Sequence, residues 1–286
     1  MIYETPADWT GAAHRRVSLF GMSGLGKTRI AAMLREEADW FHYSIDFRIG
    51  TRYMGEHIVD NFKREAMRNP FLRRLLRSDS IYIASNITFH NLEPLSTYLG
   101  KPGDPAKGGI PFDEYILRQR QHREAEISAT RDTLRFIEKA EAIYGYRHFV
   151  CDTSGSLCEV VDPSSPADPV MTDLSAATLP VWFRGTEDDL EALTARFEKA
   201  PKPMYYPEGF LTRLWHEYLA GEGCAPEEVD PDAFIRHGFR ALMDHRLPRY
   251  AAMAARWGVT VEAAEVGAVR DPQDFDALIR DALARR

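Results

Sequence analysis

Residues 21–28 read Gly-Met-Ser-Gly-Leu-Gly-Lys-Thr and match the pattern G-x-x-x-x-G-K-[ST] at every fixed position. Three glycines let the backbone curl until successive N–H groups point at one anionic group. A lysine ammonium and a threonine hydroxyl at the end of such a loop suit the β- and γ-phosphates and Mg²⁺, respectively. We refer to residues 21–28 as the glycine loop. Its predicted phosphate-binding residues are Gly21, Met22, Ser23, Gly24, Leu25, Gly26, Lys27 and Thr28, with Thr28 also predicted to bind the metal.

The elements around the glycine loop are those that the motif requires. An apolar run at 17–20 predicts a strand before it, and an amphipathic stretch at 29–35 predicts a helix after it, whose dipole adds positive potential. We therefore expect a nucleoside triphosphate, ATP with Mg²⁺, to bind here. A Gly-rich turn in an unrelated α/β domain is the alternative.

Further predicted strands alternate with helices, which indicates an α/β protein with a parallel sheet. Together with the glycine loop they predict a three-layer P-loop NTPase fold with a mostly helical insertion. We predict a kinase-like core formed by residues 1–53 and 146–286, and a substrate- or partner-binding insertion at 54–145. Residues 1–15 are expected to form a loose leader. The predicted strands after the first are 41–47, 148–152, 179–184 and 258–261, with a further candidate at 80–86.

Two aspartates lie at or near the ends of predicted strands, where ligands sit in open α/β sheets. Asp152 is a candidate carboxylate for Mg²⁺, with a turn or helix cap as the alternative. Asp46 is a candidate to orient or deprotonate an acceptor hydroxyl, with a salt bridge to a nearby arginine as the alternative. Arg48 and Arg52 are candidates to clamp an anionic substrate, or else solvated surface side chains. The predicted catalytic residues are Lys27, Asp46 and Asp152.

Composition narrows the partners and the compartment. The chain has 286 residues, a formal net charge of −7, and 44% hydrophobic and 28% charged residues, as expected of a soluble globular protein. The negative charge disfavours long nucleic acid, although it leaves room for a local basic groove. No apolar run approaches the ~20 residues of a membrane span, and the first residues lack a signal-peptide layout. Three cysteines without C-x-x-C spacing fit a reducing compartment, so a cytoplasmic location is expected.

The order of motifs resembles the small-molecule kinases of the P-loop class, most closely shikimate kinase and gluconate kinase. The likeness rests on the glycine loop, the run ending near Asp46, the turn after the third strand, the strand at 181–184 that enters a helix, and the late segment Arg246-Leu247-Pro248-Arg249-Tyr250. It covers about the first fifty residues and about residues 145–265.

This resemblance implies roles for residues that spacing alone does not assign. It implies that Asp46 faces the acceptor and that the turn Thr153, Ser154, Gly155 and Ser156 lines the substrate pocket. It also implies that residues 196–207 form a lid, with Arg196, Lys199 or Lys202 over the phosphates, and that Arg246 helps to frame the nucleotide.

The chain departs from these kinases in three places. Residues 54–145 are far longer than the matching part of shikimate kinase, the turn at 153–156 lacks consecutive glycines, and Arg29 follows Thr28 where a second hydroxyl residue is common. A shikimate or gluconate substrate is therefore disfavoured. We expect a phosphotransferase acting on a small hydroxylated or phosphorylated metabolite.

Two other functions stay open at this point. The helical section and the Gly/Pro-rich loop at 100–109 fit an ATPase or nucleotide-dependent switch that acts on a protein partner. A GTPase is disfavoured because the N/T-K-x-D guanine-reading pattern is missing from the sequence. A kinase acting on a nucleotide, a nucleotide-sugar or a nucleic-acid end is the second alternative. The sequence does not indicate an oligomeric state.

Overall fold

The computed structural model describes residues 2–286 and combines one parallel sheet with many helices. The strands are β1 Arg16–Phe20, β2 Trp40–Ser44, β3 His148–Asp152, β4 Leu179–Arg184 and β5 Val259–Glu262. The helices are α1 Pro6–Gly11, α2 Lys27–Glu37, α3 Ile45–Arg48, α4 Gly55–Ala66, α5 Pro70–Arg77, α6 Glu93–Leu99, α7 Phe112–Ala142, α8 Leu157–Val160, α9 Pro169–Ala177, α10 Glu187–Lys199, α11 Glu208–Glu222, α12 Pro231–Trp257, α13 Ala263–Ala268 and α14 Pro272–Ala284. A π-helical segment, Ile49–Tyr53, follows α3, and 3₁₀ turns lie at Pro105–Lys107 and Pro226–Glu228.

All five strands are parallel, in the order β2-β3-β1-β4-β5. The chain leaves the central strand β1 towards β2 on one side, and it later crosses from β3 to β4 on the other side. Open parallel sheets bind ligands at the carboxyl ends of the strands where the direction of winding changes. The glycine loop follows β1 at this point. The α/β class and the parallel sheet predicted from the sequence are confirmed.

Alternating side chains of the strands are covered by helices on both faces of the sheet. Val17 and Leu19 of β1 belong to one buried cluster with Ile30 of α2 and Ile279 of α14. On the opposite face, the ring of Tyr43 stacks on Phe136 of α7 with centroids 4.7 Å apart. Burial on both faces explains why most residues of these strands are apolar. The sheet is thus the middle of three layers.

The first residues are ordered by a helix that the sequence analysis missed, so the loose leader predicted at 1–15 is wrong. Thr5 and Asp8 form a capping box at the start of α1, and Pro6 occupies its first turn. Trp9 is completely buried, and its indole donates to Asp276 of α14 at 2.8 Å. This segment therefore closes the core around α14.

The chain divides into two compact units whose bounds differ from those predicted. The first unit comprises residues 1–45, 126–201 and 236–286, and the second comprises 46–125 and 202–235. The first unit thus also contains the second half of α7. The second contains the π-helical segment and α11 in addition to most of the predicted insertion. The candidate strand at 80–86 is wrong, because these residues form no strand and have no ladder partner among the described residues.

The second unit is almost entirely helical and is held by polar side chains of α7. Arg118 donates to the carbonyl of Tyr98 and to Glu114, and the amide of Gln119 accepts from the Tyr206 N–H at 2.9 Å. Trp215 of α11 stacks on Phe112 with ring centroids 4.7 Å apart. Within residues 2–286, none of the helices is long and apolar enough to span a bilayer.

Candidate active site

Three glycines of the glycine loop have positive φ angles. Gly21, Gly24 and Gly26 have φ values of 129°, 88° and 94°, which residues with a Cβ rarely adopt. Gly26 is the N-cap of α2, so the helix begins at Lys27. The loop therefore ends at a helix N-terminus, which favours an anion there.

The side chain of Lys27 folds back into the glycine loop. Its side chain is buried, and Nζ donates to the carbonyl oxygens of Gly21 at 2.9 Å and Met22 at 3.0 Å. The ammonium thus fixes the start of the loop to its end. A cation held at this position is suited to the terminal phosphates of a nucleotide.

Thr28 and Asp152 meet at the junction of the loop and the neighbouring strand. The Thr28 hydroxyl donates to Asp152 Oδ2 at 2.7 Å, and Leu19 of β1 is in register with Asp152 of β3. His42 of β2 places Nε2 3.7 Å from the same carboxylate oxygen. Asp152 caps no helix, because α8 begins after Ser156. The helix-cap alternative for this residue is therefore excluded.

The hydroxyl groups of the turn after β3 point into the protein. Thr153 Oγ1 donates to the Leu19 carbonyl at 2.8 Å. Ser154 and Ser156 both donate to Glu126, the latter at 2.7 Å, and the Glu126 side chain is completely buried. These side chains hold the turn to β1 and α7, and their predicted contact with substrate stays a prediction.

Gly155 brings this turn directly against the glycine loop. A Cβ added at Gly155 would lie 2.6 Å from Ser23 Oγ and 3.4 Å from the Ser23 nitrogen, so the two segments are in close contact. Glu126, which the sequence analysis did not single out, therefore supports the loop through the turn. Its position in phase with the buried Thr130, Thr133 and Ile137 was the available signal.

The late segment 246–250 contacts the same turn from α12. The Tyr250 hydroxyl donates to the Gly155 carbonyl, and Arg246 Nε donates to Glu159 at 3.0 Å. Glu159 is also approached by His245 and Arg249. Arg246 is 3% exposed, so its observed role is to anchor α12 beside α8. Its predicted contact with the nucleotide stays a prediction.

One predicted lid cation lies beside the glycine loop. Arg196 Nη2 lies 3.5 Å from the point that a Cβ on Gly24 would occupy, and Leu193 of the same helix lies closer still. Helix α10 therefore packs on the loop and presents a guanidinium next to it. Lys199 ends α10, whereas Lys202 lies in the second unit and pairs with Glu93 at 3.5 Å.

Asp46, Arg48 and Arg52 lie at the start of the second unit. The predicted strand at 41–47 is too long, because β2 ends at Ser44 and Asp46 lies in the first turn of α3. The Arg48 guanidinium stacks on Tyr53, 5.5 Å from the ring centroid. Arg52 lies in the π-helical segment. The substrate-binding and catalytic roles of these residues stay predictions.

No protein-family model, curated protein or solved structure matches this chain. Within the described part of the chain, His, Cys, Asp and Glu side chains form no group of three or more that could hold a metal ion. Magnesium sites of nucleotide-binding proteins use one or two protein oxygens together with phosphates and water. The pair Thr28 and Asp152 has this composition.

Proposed function

We propose that this chain is an ATP-dependent phosphotransferase, built on a P-loop fold, that transfers the γ-phosphate of ATP·Mg²⁺ to a small hydroxylated or phosphorylated metabolite. The observation that carries the proposal is the 2.7 Å hydrogen bond between Thr28 and Asp152. It joins the last residue of a glycine loop to the acidic end of the adjacent strand.

The residues of the site fit both Mg²⁺ and the phosphates of ATP. Thr28 and Asp152 offer oxygen atoms, the donors that Mg²⁺ prefers. Gly24 and Gly26 hold left-handed backbone conformations, which turn N–H groups towards one point. When bound, the metal would neutralise charge on the phosphate oxygens.

The protein's own groups divide the work of phosphoryl transfer. Lys27 binds the β- and γ-phosphates, and Arg196 adds a second positive charge beside Gly24. Asp46 orients the acceptor hydroxyl and takes its proton as the oxygen attacks phosphorus. The leaving group is ADP. Positioning and charge neutralisation supply most of the rate enhancement in such reactions.

The first test is nucleotide binding, by titration calorimetry with ATP and Mg²⁺. We expect Asp152→Asn to weaken the Mg²⁺-dependent part of ATP affinity, because the carboxylate that accepts from Thr28 loses its charge. Lys63→Ala is a matched control for Lys27→Ala, since Lys63 is exposed and forms an ion pair with the neighbouring Asp60 at 3.1 Å. Absence of any ATP binding by the wild-type chain would refute the proposal.

The second test is ADP release in the presence of a panel of hydroxylated and phosphorylated metabolites. Lys27→Ala is expected to lower turnover by about 10²–10³-fold. Asp46→Asn is expected to lower it by about 10²–10⁴-fold while ATP affinity is kept. If every acceptor leaves turnover at the rate with water alone, the chain is an ATPase and not a phosphotransferase.

A further inference from the structure

One stretch of the second unit has apolar side chains but no buried residue. From Val59 to Pro94, every residue is half-buried or exposed. The stretch includes α5, an amphipathic helix with the sequence Pro-Phe-Leu-Arg-Arg-Leu-Leu-Arg. The segment is therefore accessible to a partner outside the chain.

The outer face of α5 carries three arginines. At 3.6 residues per turn, Arg73, Arg74 and Arg77 fall within an arc of about 100°. All three are exposed. Together with Pro70 and Ser78 they line an open cavity of about 400 Å³, and this lining contains no carboxylate. We refer to the three side chains as the arginine face.

The arginine face is not neutralised by the protein. Arg73 Nε donates to the Met67 carbonyl at 2.7 Å, and Arg74 lies over the ring of Phe71 at 5.6 Å. Among the described residues, no carboxylate forms an ion pair with any of the three, although Arg68 nearby pairs with Glu65 at 2.8 Å. Like charges one helical turn apart repel each other. An anion bound between them would relieve this repulsion.

The sign of the charge and the exposed rings indicate which anion fits. Positions 63–77 hold six Lys and Arg residues and one Glu, in a chain whose net charge is −7. Phe71 is 57% exposed, and Tyr82, which follows the last residue of α5 by five positions in the sequence, is 89% exposed. Arginines that follow a phosphate backbone, together with aromatic rings on which bases stack, form the binding surfaces of single-stranded nucleic acids.

A membrane surface fits the same helix less well. Insertion into lipid would require the apolar face of α5 to point outwards. Instead Leu72, Leu75 and Leu76 are half-buried, and the basic face is the one that is open to solvent. We propose that the arginine face binds the phosphate backbone of a single-stranded nucleic acid. This proposal stands independently of the phosphotransferase activity.

The test is fluorescence anisotropy with labelled single strands, oligo(dT) and oligo(U), of about 20 nucleotides. The variant Arg73→Gln/Arg74→Gln/Arg77→Gln is compared with the wild-type chain at several salt concentrations. Because the variant can no longer neutralise the phosphates that these arginines face, the slope of log K against log[salt] should become shallower by about 2. This corresponds to an affinity advantage of the wild type that shrinks about 20-fold between about 50 and 200 mM salt.

The matched control removes the same charge elsewhere. Arg131, Arg147 and Arg270 are exposed, lie in the first unit and face carboxylates. Their triple Gln variant should bind the oligonucleotides as the wild type does. Equal loss in both variants would overturn the proposal, because bulk charge would then be the cause.

Further measurements on the same variants decide the ligand. Absence of oligonucleotide binding by the wild type overturns the proposal. If inorganic tripolyphosphate binds as tightly as the oligonucleotides, or if phosphatidylserine vesicles bind in preference to them, the arginine face serves another ligand and the proposal is overturned. ATP binding measured on the same arginine-face variant should be unchanged. Loss of ATP binding in the Lys27→Ala variant with oligonucleotide binding intact would separate the two proposals.

Discussion

Replacing glycines of the glycine loop by alanine should separate backbone strain from steric clash. Gly21 and Gly26 both have positive φ, so alanine is strained at either position. Their surroundings differ. A Cβ on Gly21 would lie 2.6 Å from the Phe183 carbonyl oxygen in β4, which is fixed in the sheet. A Cβ on Gly26 would meet Val266 at 3.5 Å, an ordinary contact.

These distances set the expected magnitudes. Gly26→Ala should lower the free energy of unfolding by about 1–3 kcal/mol, the cost of the strained backbone alone. Gly21→Ala should lower it by about 2–6 kcal/mol, because forcing atoms into packed backbone adds a further cost of similar size. Gly267 lies in α13 and has no positive φ, and a Cβ added there would have no atom of the described residues within 4 Å apart from its own chain neighbours and helix backbone. Gly267→Ala should therefore raise stability by about 0.5–1 kcal/mol.

The assay is thermal unfolding without nucleotide, followed by circular dichroism. In chains of this size each kcal/mol shifts Tm by about 2–4 °C, so the three variants should be resolved from one another. The expected order of Tm is Gly267→Ala, wild type, Gly26→Ala and Gly21→Ala, from highest to lowest. A Gly21→Ala variant as stable as Gly26→Ala would show that the loop does not pack against β4 as described.

Three further outcomes are expected. Tyr250→Phe should lower the free energy of unfolding by about 1 kcal/mol in urea titrations, because the Gly155 carbonyl loses a buried donor; an unchanged midpoint would contradict the contact. Burial and the charge of Arg15 lower the pKa of His148, so the unfolded chain takes up this proton first as the pH falls below about 6.5, and stability decreases there. His148→Asn keeps an acceptor for the Arg15 N–H but has no group that titrates. Its Tm should therefore fall less between about pH 8 and about pH 5.5 than the Tm of the wild type. A thiol reagent should modify Cys224 rapidly in the native chain and the other two cysteines only after denaturation, since burial raises the pKa of both of those thiols.

Much of the first unit could be predicted because its signals are local. The apolar runs that become β1, β3 and β4 are bounded by polar or Gly-containing turns, and each ends within a residue of its predicted limit. Parallel strands bring their carboxyl ends to one edge of the sheet, so Thr28 and Asp152 are expected near each other. The Thr28 hydroxyl oxygen lies 2.7 Å from Asp152 Oδ2. Motif and strand pattern therefore supplied the centre of the site.

The support around that centre depends on contacts between distant segments. Ser154 and Ser156, which the family likeness places beside the substrate, both donate to Glu126, 28 and 30 positions earlier in the chain, and their contact with substrate stays a prediction. Only its place in the same helical stripe as the buried Thr130, Thr133 and Ile137 distinguishes this glutamate from the solvated charges of that helix. Arg246 was assigned by family likeness, whereas its partner Glu159 lies 87 positions away.

Two local errors have local causes. The Thr5–Asp8 capping box and Pro6 are a helix-start signal within the first residues, and they were overlooked. The strand that leads to Asp46 was extended too far because Ile45 and Phe47 continue its apolar character. Helix and strand are hard to distinguish in short apolar runs. The tertiary setting, not the residue types, makes Ile45 the start of α3.

The strand order has a consequence for synthesis on the ribosome. Within residues 2–286, β1 pairs only with β3 and β4, and β2 pairs only with β3, so the first two strands to emerge are not neighbours. A nascent chain that stops before His148 contains no two strands that form a ladder in the native sheet. Both edges of β1 stay unpaired until β3 and β4, more than a hundred residues later in the chain, have been synthesised. Such long-range pairing slows folding and exposes unpaired edges in the meantime. A truncated N-terminal piece of this protein, although it carries the whole G-x-x-x-x-G-K-[ST] motif, should therefore emerge without a sheet to hold it.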